Sequence, residues 1–211
     1  MRREFHVRFC EGPGVQFPRA TRLVVGFQHR QEAERFFAEL RERFAKFGLA
    51  LHPEKSRLIE FGRFADRDRC GRGDGKPASF NFLGFTHLCG KTRAGQFTLR
   101  RQTMRTRLQA KLKSLYEELR RRRHEPIPEQ GAYLRSVVGG HTRYYGVPGN
   151  GPALSAFRKA VGWLWRKALR RRSQRARRRL TWDRMKRYIA RWLPPARICH
   201  PYPSVRLAVR T

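Results

Sequence analysis

The sequence predicts an α+β protein in which short strands and one helix precede an entirely helical C-terminal part. Short apolar runs bounded by Gly and Pro lie in the first hundred residues, and one apolar stripe of helical period lies among them. Three further stripes of helical period follow Gln102. With 39% hydrophobic and 12% aromatic residues, the 211-residue chain is too apolar for a disordered basic tail.

Residues 1–18 contain two Gly and two Pro without a clear period, so no regular structure is predicted there. A strand is predicted over residues 23–27, followed by an amphipathic helix that ends at Gly48. The apolar face of this helix comprises Ala33, Phe36, Phe37, Leu40, Phe44 and Phe47. Further strands are predicted over residues 49–51 and 58–61 around a turn at 53–55, and over 80–88 and 96–100 as a hairpin, with 62–77 as an exposed loop.

The three C-terminal stripes predict a three-helix bundle, because Pro-rich and Gly-rich segments separate them. A fourth helix is predicted around Trp182 and Trp192, stopped by Pro194, and an extended tail follows. The stripes are Met104, Leu108, Leu112, Leu115 and Leu119; Leu134, Val137, Val138, His141, Tyr144 and Tyr145; and Leu154, Phe157, Val161, Leu164 and Ala168.

The charge of the chain is +33, and it is concentrated after residue 74, where 33 Lys and Arg face five Asp and Glu. Such an excess repels itself unless a polyanion neutralises it, and the planar guanidinium of Arg suits phosphate. Because these clusters lack opposing acids that could form i,i+4 pairs, we predict a nucleic-acid surface rather than a solvated helix face. The predicted binding residues are Arg120, Arg121, Arg122, Arg123, Arg143, Arg166, Lys167, Arg170, Arg171, Arg172, Arg175, Arg177, Arg178 and Arg179.

Aromatic residues interleave with these cations, and stacking on unpaired bases would favour RNA loops or single strands. Core packing is the alternative for most of them. Trp163 and Trp165 cannot both face one core stripe, so one of them is the stacking candidate, and Trp163 is taken as that residue. The Asp66-x-Asp68 pair lies among arginines and is interpreted as neutralised loop acids rather than a metal site.

Sequence signals for other classes of protein are weak. Four scattered cysteines indicate neither a disulfide framework nor a zinc site, and no Walker-type or nucleophile-elbow motif is present. The start of the chain does not resemble a signal peptide and no apolar run has the length of a membrane span, so no membrane partner and a cytoplasmic location are expected.

Several ordered segments resemble the C-terminal half of bacterial group II intron reverse transcriptases, also called maturases. The similarity covers roughly residues 20–208, through Leu-Val-Val-Gly-Phe at 23–27, the segments 47–55 and 80–87, the helices, and the endings at 191–195 and 200–203. It implies four parts: an unrelated or disordered segment 1–18, a partial reverse-transcriptase palm 19–101, a thumb and maturase helical domain 102–193, and an extended tail 194–211.

The resemblance implies RNA binding and assistance in intron splicing by a product of a mobile element. Intact members copy RNA into DNA with Mg²⁺ held by the aspartates of a Tyr-Ala-Asp-Asp motif, whose last two positions are Thr21 and Arg22 here. Two-metal catalysis needs clustered carboxylates, so polymerase activity and a metal cofactor are not expected of this chain alone. Lys55 matches a family residue that helps the pyrophosphate leave, and Phe82, Leu83, Gly84 and Phe85 match the primer-gripping hairpin. For both, structural retention is the alternative.

Four hypotheses follow. The first is an RNA-binding remnant that holds structured group II intron RNA, with DNA or an RNA–DNA hybrid as further ligands. The second is one part of a split RNA-directed DNA polymerase, completed by a separate N-terminal reverse-transcriptase fragment. The third is a degraded, truncated gene product without a stable fold. A general basic binder such as a ribosomal protein explains the charge but not the ordered motifs.

Overall fold

The computed structural model describes residues 5–9, 23–52, 56–92 and 94–202, which form an α+β structure. Thr21, Arg22, Lys55, the predicted turn at 53–55 and the end of the tail from residue 203 lie outside this part. The chain divides into two compact units, Met1–Arg100 and Arg101–Thr211.

The first unit begins with an antiparallel sheet in the order β2-β1-β3. β1 (Phe5–Phe9) is central and pairs with β2 (Leu23–Phe27) and with β3 (Arg57–Glu60). The prediction of no regular structure over residues 1–18 is therefore wrong for β1. It failed because five residues between charged and Gly-rich stretches are too few to establish a period.

Alternation along the strands gives the first sheet two apolar faces. On one face, Ala33 of α1 (Arg30–Lys46) is fully buried, with Val25 and Leu58 packed around it. On the other face lies a second cluster, which includes Ile59. The predicted helix is confirmed, and Gly48 after it has a φ of +68°, the left-handed conformation that glycine favours at a helix end. Phe47, predicted on the apolar face, is 71% exposed.

The second sheet has the order β4-β5-β6, with β4 Phe80–Phe82, β5 Phe85–Lys91 and β6 Phe97–Thr103. The single strand predicted over residues 80–88 is wrong, because the chain reverses at Leu83 and Gly84. Both have positive φ values, 46° and 81°, as a two-residue turn of type I′ requires. Phe82 pairs with Phe85 across this turn, so the primer-grip-like residues form a hairpin tip.

Two other predictions for the first unit are wrong. Residues 49–51 form no strand, and the predicted loop contains the short helix α2 (Ala65–Gly71). On α2, the Asp66 carboxylate pairs with Lys91 at 2.7 Å and that of Asp68 with Arg67 at 3.4 Å. These ion pairs agree with the interpretation of both acids as neutralised.

The second unit is built from helices, as predicted. Its long helices are α3 (Arg105–Arg121), α4 (Ile127–Tyr145), α5 (Gly151–Arg170) and α7 (Trp182–Trp192). The prediction missed the 3-10 turn Arg122–His124 and the six-residue helix α6 (Gln174–Arg179), which contain too few apolar residues for a periodic stripe.

The stripes predicted for α3, α4 and α5 supply the core of the second unit. Its centre includes Leu119, Leu134 and Trp165, which have no exposed surface. Gly162 lets α7 approach α5 closely, because a Cβ there would lie 2.7 Å from the Ile189 side chain. Tyr144, predicted on the α4 stripe, is 53% exposed.

None of the helices in the described part of the chain is long and apolar enough to cross a membrane.

Candidate nucleic-acid interface

The second unit carries the charge excess, with 29 Lys and Arg against five Asp and Glu in residues 101–211. Nine of these cations lie between residues 166 and 179, a stretch without an acid. Within the described residues, none of the nine forms an ion pair. The described carboxylates therefore leave the charge of these nine cations unneutralised.

Five of the nine cations line one open groove of about 640 Å³ together with Trp163, Ser173 and Gln174. The end of α5 and the beginning of α6 form its walls, because the chain turns at Ser173. The Ser173 hydroxyl accepts a hydrogen bond from the Ala176 amide at 3.1 Å and so caps α6. We name this surface the basic groove; its cations are Arg166, Lys167, Arg170, Arg171 and Arg177.

Contacts within the unit orient several of these cations. Lys167 Nζ lies 5.1 Å from the ring centre of Trp163 and 4.9 Å from that of Tyr116. The Arg171 guanidinium donates to the Tyr116 hydroxyl at 2.9 Å, and Arg170 Nε donates to the carbonyl of Arg177 at 3.2 Å. The cations are thus held by rings and carbonyls, which leave their positive charge in place.

Arg166 contributes a donor that the described residues leave unused. Its guanidinium lies 4.7 Å from the ring centre of Trp182, a cation–π contact. Its Nε is enclosed and has no hydrogen-bond partner among them. A buried donor without a partner is costly, so a ligand acceptor that reached it would gain from this arrangement.

The two tryptophans of α5 take opposite environments. Trp165 is fully buried, and its Nε1 donates to Gln130 Oε1 at 2.9 Å. Trp163 is 50% exposed and lines the basic groove. The prediction that only one of the pair faces the core is confirmed.

The predicted cations do not all join the basic groove. Arg175, Arg178 and Arg179 are exposed on α6 but do not line it. Arg172 turns inward and donates to the backbone carbonyl of Glu125, and burial lowers the pKa of its guanidinium. Arg143 lies at a separate cleft, beside Arg197.

The arginines at the end of α3 are partly neutralised, which the sequence analysis did not expect. Arg121 and Arg122 both pair with Glu118, the latter through its Nε at 2.6 Å, and Arg122 also contacts Glu125. The hydrogen bond from Arg122 contributes most to holding the pKa of the Glu118 carboxyl below its usual value. The prediction that this cluster lacks acids at helical spacing is wrong. Arg120 and Arg123 line a neighbouring cleft.

Tyr116 does not line the basic groove, but it contacts the groove cations Lys167 and Arg171, a role that the sequence did not predict. It lies on α3 beside the apolar stripe, one position after the buried Leu115, and is partly exposed. An aromatic residue at the edge of an apolar stripe was the signal in the sequence that could have indicated a partly exposed ring.

The described residues contain no group of three or more His, Cys, Asp or Glu side chains placed to hold a metal ion. His87 stacks on Phe80 with ring centres 4.8 Å apart, and the Sγ of nearby Cys89 contacts Gly62. His200, beside the exposed Cys199, places its Nε2 2.6 Å from the carbonyl oxygen of Arg143.

Comparison of the chain with protein-family models, with curated proteins and with solved structures gave no match.

Proposed function

We propose that this chain is an RNA-binding protein that holds structured group II intron RNA through the basic groove, assists splicing and does not polymerise. The observation that carries the RNA-binding part is the basic groove itself, in which five cations that pair with no described acid surround a half-exposed indole. Cations that follow a sugar–phosphate chain beside an aromatic ring are the usual means of holding unpaired nucleic acid.

The choice of group II intron RNA as ligand rests on the sequence resemblance. The absence of polymerase activity rests on Thr21 and Arg22, which occupy the positions of the metal-binding aspartates in that family. The β4–β5 hairpin favours one alternative, a split RNA-directed DNA polymerase that a second chain completes, because Phe82–Phe85 matches the primer-gripping segment. Such an enzyme would need its carboxylates from the other chain.

Equilibrium binding to a group II intron RNA and to a single-stranded segment of it, over a series of salt concentrations, tests the proposal. The logarithm of the association constant is expected to fall linearly with the logarithm of the salt concentration, because each neutralised phosphate releases counterions. The double variant R170Q/R177Q should lower the slope by about 1 to 2, from a loss of about 0.7 to 0.9 per phosphate contact. Trp163→Ala should weaken single-strand binding by about tenfold, within the range for a lost base stack.

The matched control is R35Q, which removes an exposed arginine of α1 that is already paired with Glu39 at 2.7 Å. It should leave affinity and salt slope unchanged. Binding that is insensitive to salt, or equal losses in R170Q/R177Q and the control, would contradict a role for the basic groove. A DNA segment of the same sequence bound as tightly as the RNA would contradict the choice of RNA.

A further inference from the structure

Helix α4 has a strip without side chains, formed by Gly139 and Gly140, that the packing of the described residues does not explain. Gly139 and Gly140 lie in mid-helix, and a Cβ built on either meets no atom of the described residues within 4 Å. At Gly131 of the same helix, by contrast, a Cβ would collide with the Trp192 ring. A glycine in a helix costs about 1 kcal/mol relative to alanine, so two glycines that no described residue packs against are consistent with a ligand that approaches the helix there.

Two clefts adjoin this strip, and both are basic. The cleft toward α3 has a volume of about 500 Å³ and is lined by Arg107 and Lys111. The cleft toward the segment after α7 has a volume of about 520 Å³ and is lined by Arg135, Arg143 and Arg197. Ser136 and Gly140 line both clefts, and no acid lines either one. We name this continuous surface the α4 saddle.

The α4 saddle also contains a buried polar group without a partner. His141 lines the α3 side, is 8% exposed and stacks on Phe157 with ring centres 3.7 Å apart. Its Nε2 is enclosed and has no hydrogen-bond partner in the part of the chain that the structure describes. Buried polar atoms in proteins are nearly always hydrogen-bonded, so this nitrogen is available to a ligand.

The α4 saddle and the basic groove are separate surfaces of the same unit, because no residue lines both. On α3, Arg107 faces the saddle and Tyr116 faces the groove cations. Nine residues on an α-helix correspond to about two and a half turns, so these side chains leave α3 on opposite sides. A ligand on one surface therefore leaves the other free.

We infer that the α4 saddle seats a second segment of RNA backbone, so that the helical unit holds two RNA strands at once; this rests on the proposed function. Five cations on the two sides of the strip match a chain of phosphates, and the glycines let that chain approach the helix backbone closely. Ribose hydroxyls both donate and accept hydrogen bonds, and so offer partners to His141 Nε2 and to the Ser136 hydroxyl.

The test measures energy transfer between two RNA oligonucleotides of about eight nucleotides, a typical single-strand site size, one carrying a donor dye and the other an acceptor. The full chain should bring the two strands together and give transfer. The double variant G139L/G140L fills the strip and should abolish the transfer while one strand stays bound. Leucine favours helix over glycine, so this variant should fold, and its melting curve checks that.

The matched control is S155L/A156L, which adds the same two side chains at neighbouring exposed positions of α5 and should behave as the unaltered chain. K111Q/R143Q provides a second variant that leaves the strip open, and it should weaken binding of the second strand by about tenfold through lost phosphate contacts. Transfer that survives both saddle variants would overturn the inference.

Comparison of the variants distinguishes the proposal for the basic groove from that for the α4 saddle. If W163A and R170Q/R177Q leave RNA binding intact while G139L/G140L abolishes transfer, the assignment of the basic groove fails and the α4 saddle stands. If the groove variants weaken binding and the saddle variants change nothing, the saddle fails alone. Displacement of the second strand by polyglutamate at equal charge, but not by excess unlabelled RNA, would assign the saddle to an acidic peptide and overturn the inference.

Discussion

At the scale of single residues, Trp163 and Trp165 illustrate what a sequence decides. Two positions on a helix differ by about 200°, so only one of the two rings can join a narrow core stripe. Trp165 follows Val161 by four positions and precedes Ala168 by three, which places it on the stripe and leaves Trp163 at the basic groove. The partner of Trp165 was not predictable, because Gln130 lies in a different helix.

His141 should make stability depend on pH. Burial, and to a lesser degree the charge of Lys111, lower the pKa of His141 to about 4, from 6.5 for an unperturbed histidine. Between these values the unfolded chain binds a proton that the folded chain does not, so stability falls as the pH falls from 6.5 to 4. The total loss in the free energy of unfolding over this pH range amounts to about 3 kcal/mol.

The variant H141F keeps a ring against Phe157 and removes the titrating group. Its free energy of unfolding, measured in urea at several pH values, should lose this dependence between pH 4 and 6.5. The charged or titratable groups packed near His141 are Arg107 and Lys111 of α3 and Tyr145 of α4. H124Q, a change at an exposed histidine, is the control. An unchanged pH dependence in H141F would refute the assignment.

At the scale of elements, Asn150 connects Thr103 to the turn between α4 and α5 within the second unit. Its Oδ1 accepts from the Thr103 amide at 3.0 Å, and its Nδ2 donates to the Thr103 hydroxyl at 2.9 Å and to the Tyr145 carbonyl at 2.8 Å. The side chain is 1% exposed. Loss of this amide would leave several buried polar groups without partners.

N150A should therefore destabilise the second unit by about 2–3 kcal/mol, the range for unsatisfied buried groups. Thermal and urea unfolding measure the change. N150D retains the acceptor oxygen but loses both donated hydrogen bonds and buries a charge. It should therefore lower the free energy of unfolding at least as much as N150A does. A cost below about 0.5 kcal/mol, the level of ordinary surface changes, would show that the connection is unimportant.

Strong apolar periods in the sequence predicted most of the helices, whereas the turn at Leu83 and Gly84 was not predicted. The run over residues 80–88 contains no Asn-Gly or Asp-Gly turn signal, and Leu83 takes a left-handed conformation that leucine rarely adopts. For the candidate site, the cations of α5 and α6 followed from the sequence. The pairs of Glu118 with Arg121 and Arg122 have the i,i+3 and i,i+4 spacing that a helix brings together, so the sequence did contain their signal. The inward turn of Arg172 had no such signal, because the Glu125 carbonyl lies 47 positions away in the sequence.

At the scale of the whole molecule, charge should affect folding and binding in opposite directions. The surplus of 24 positive charges in residues 101–211 repels itself, and salt screens that repulsion over a Debye length of about 10 Å at 0.1 M. Added NaCl should therefore raise the melting temperature of the free chain while it weakens RNA binding.

Thermal unfolding followed by circular dichroism in NaCl between about 10 and 300 mM measures this effect. Over that range the Debye length shortens from about 30 Å to less than 8 Å. The melting temperature should rise by several degrees, about 4–8 °C for each kcal/mol of relieved repulsion in a unit of this size. R178E/R179E reduces the charge outside the basic groove, and it should melt higher at low salt and respond less to added salt. A melting temperature that falls with NaCl would contradict the prediction.

The choice of cation in the basic groove has a consequence for how a bound strand is released. Four of its five cations are arginines, whose guanidinium keeps its proton at any physiological pH and is not a target of lysine acetylation. Only Lys167 offers a charge that acetylation could remove. A bound RNA would therefore leave mainly by exchange with a competing polyanion.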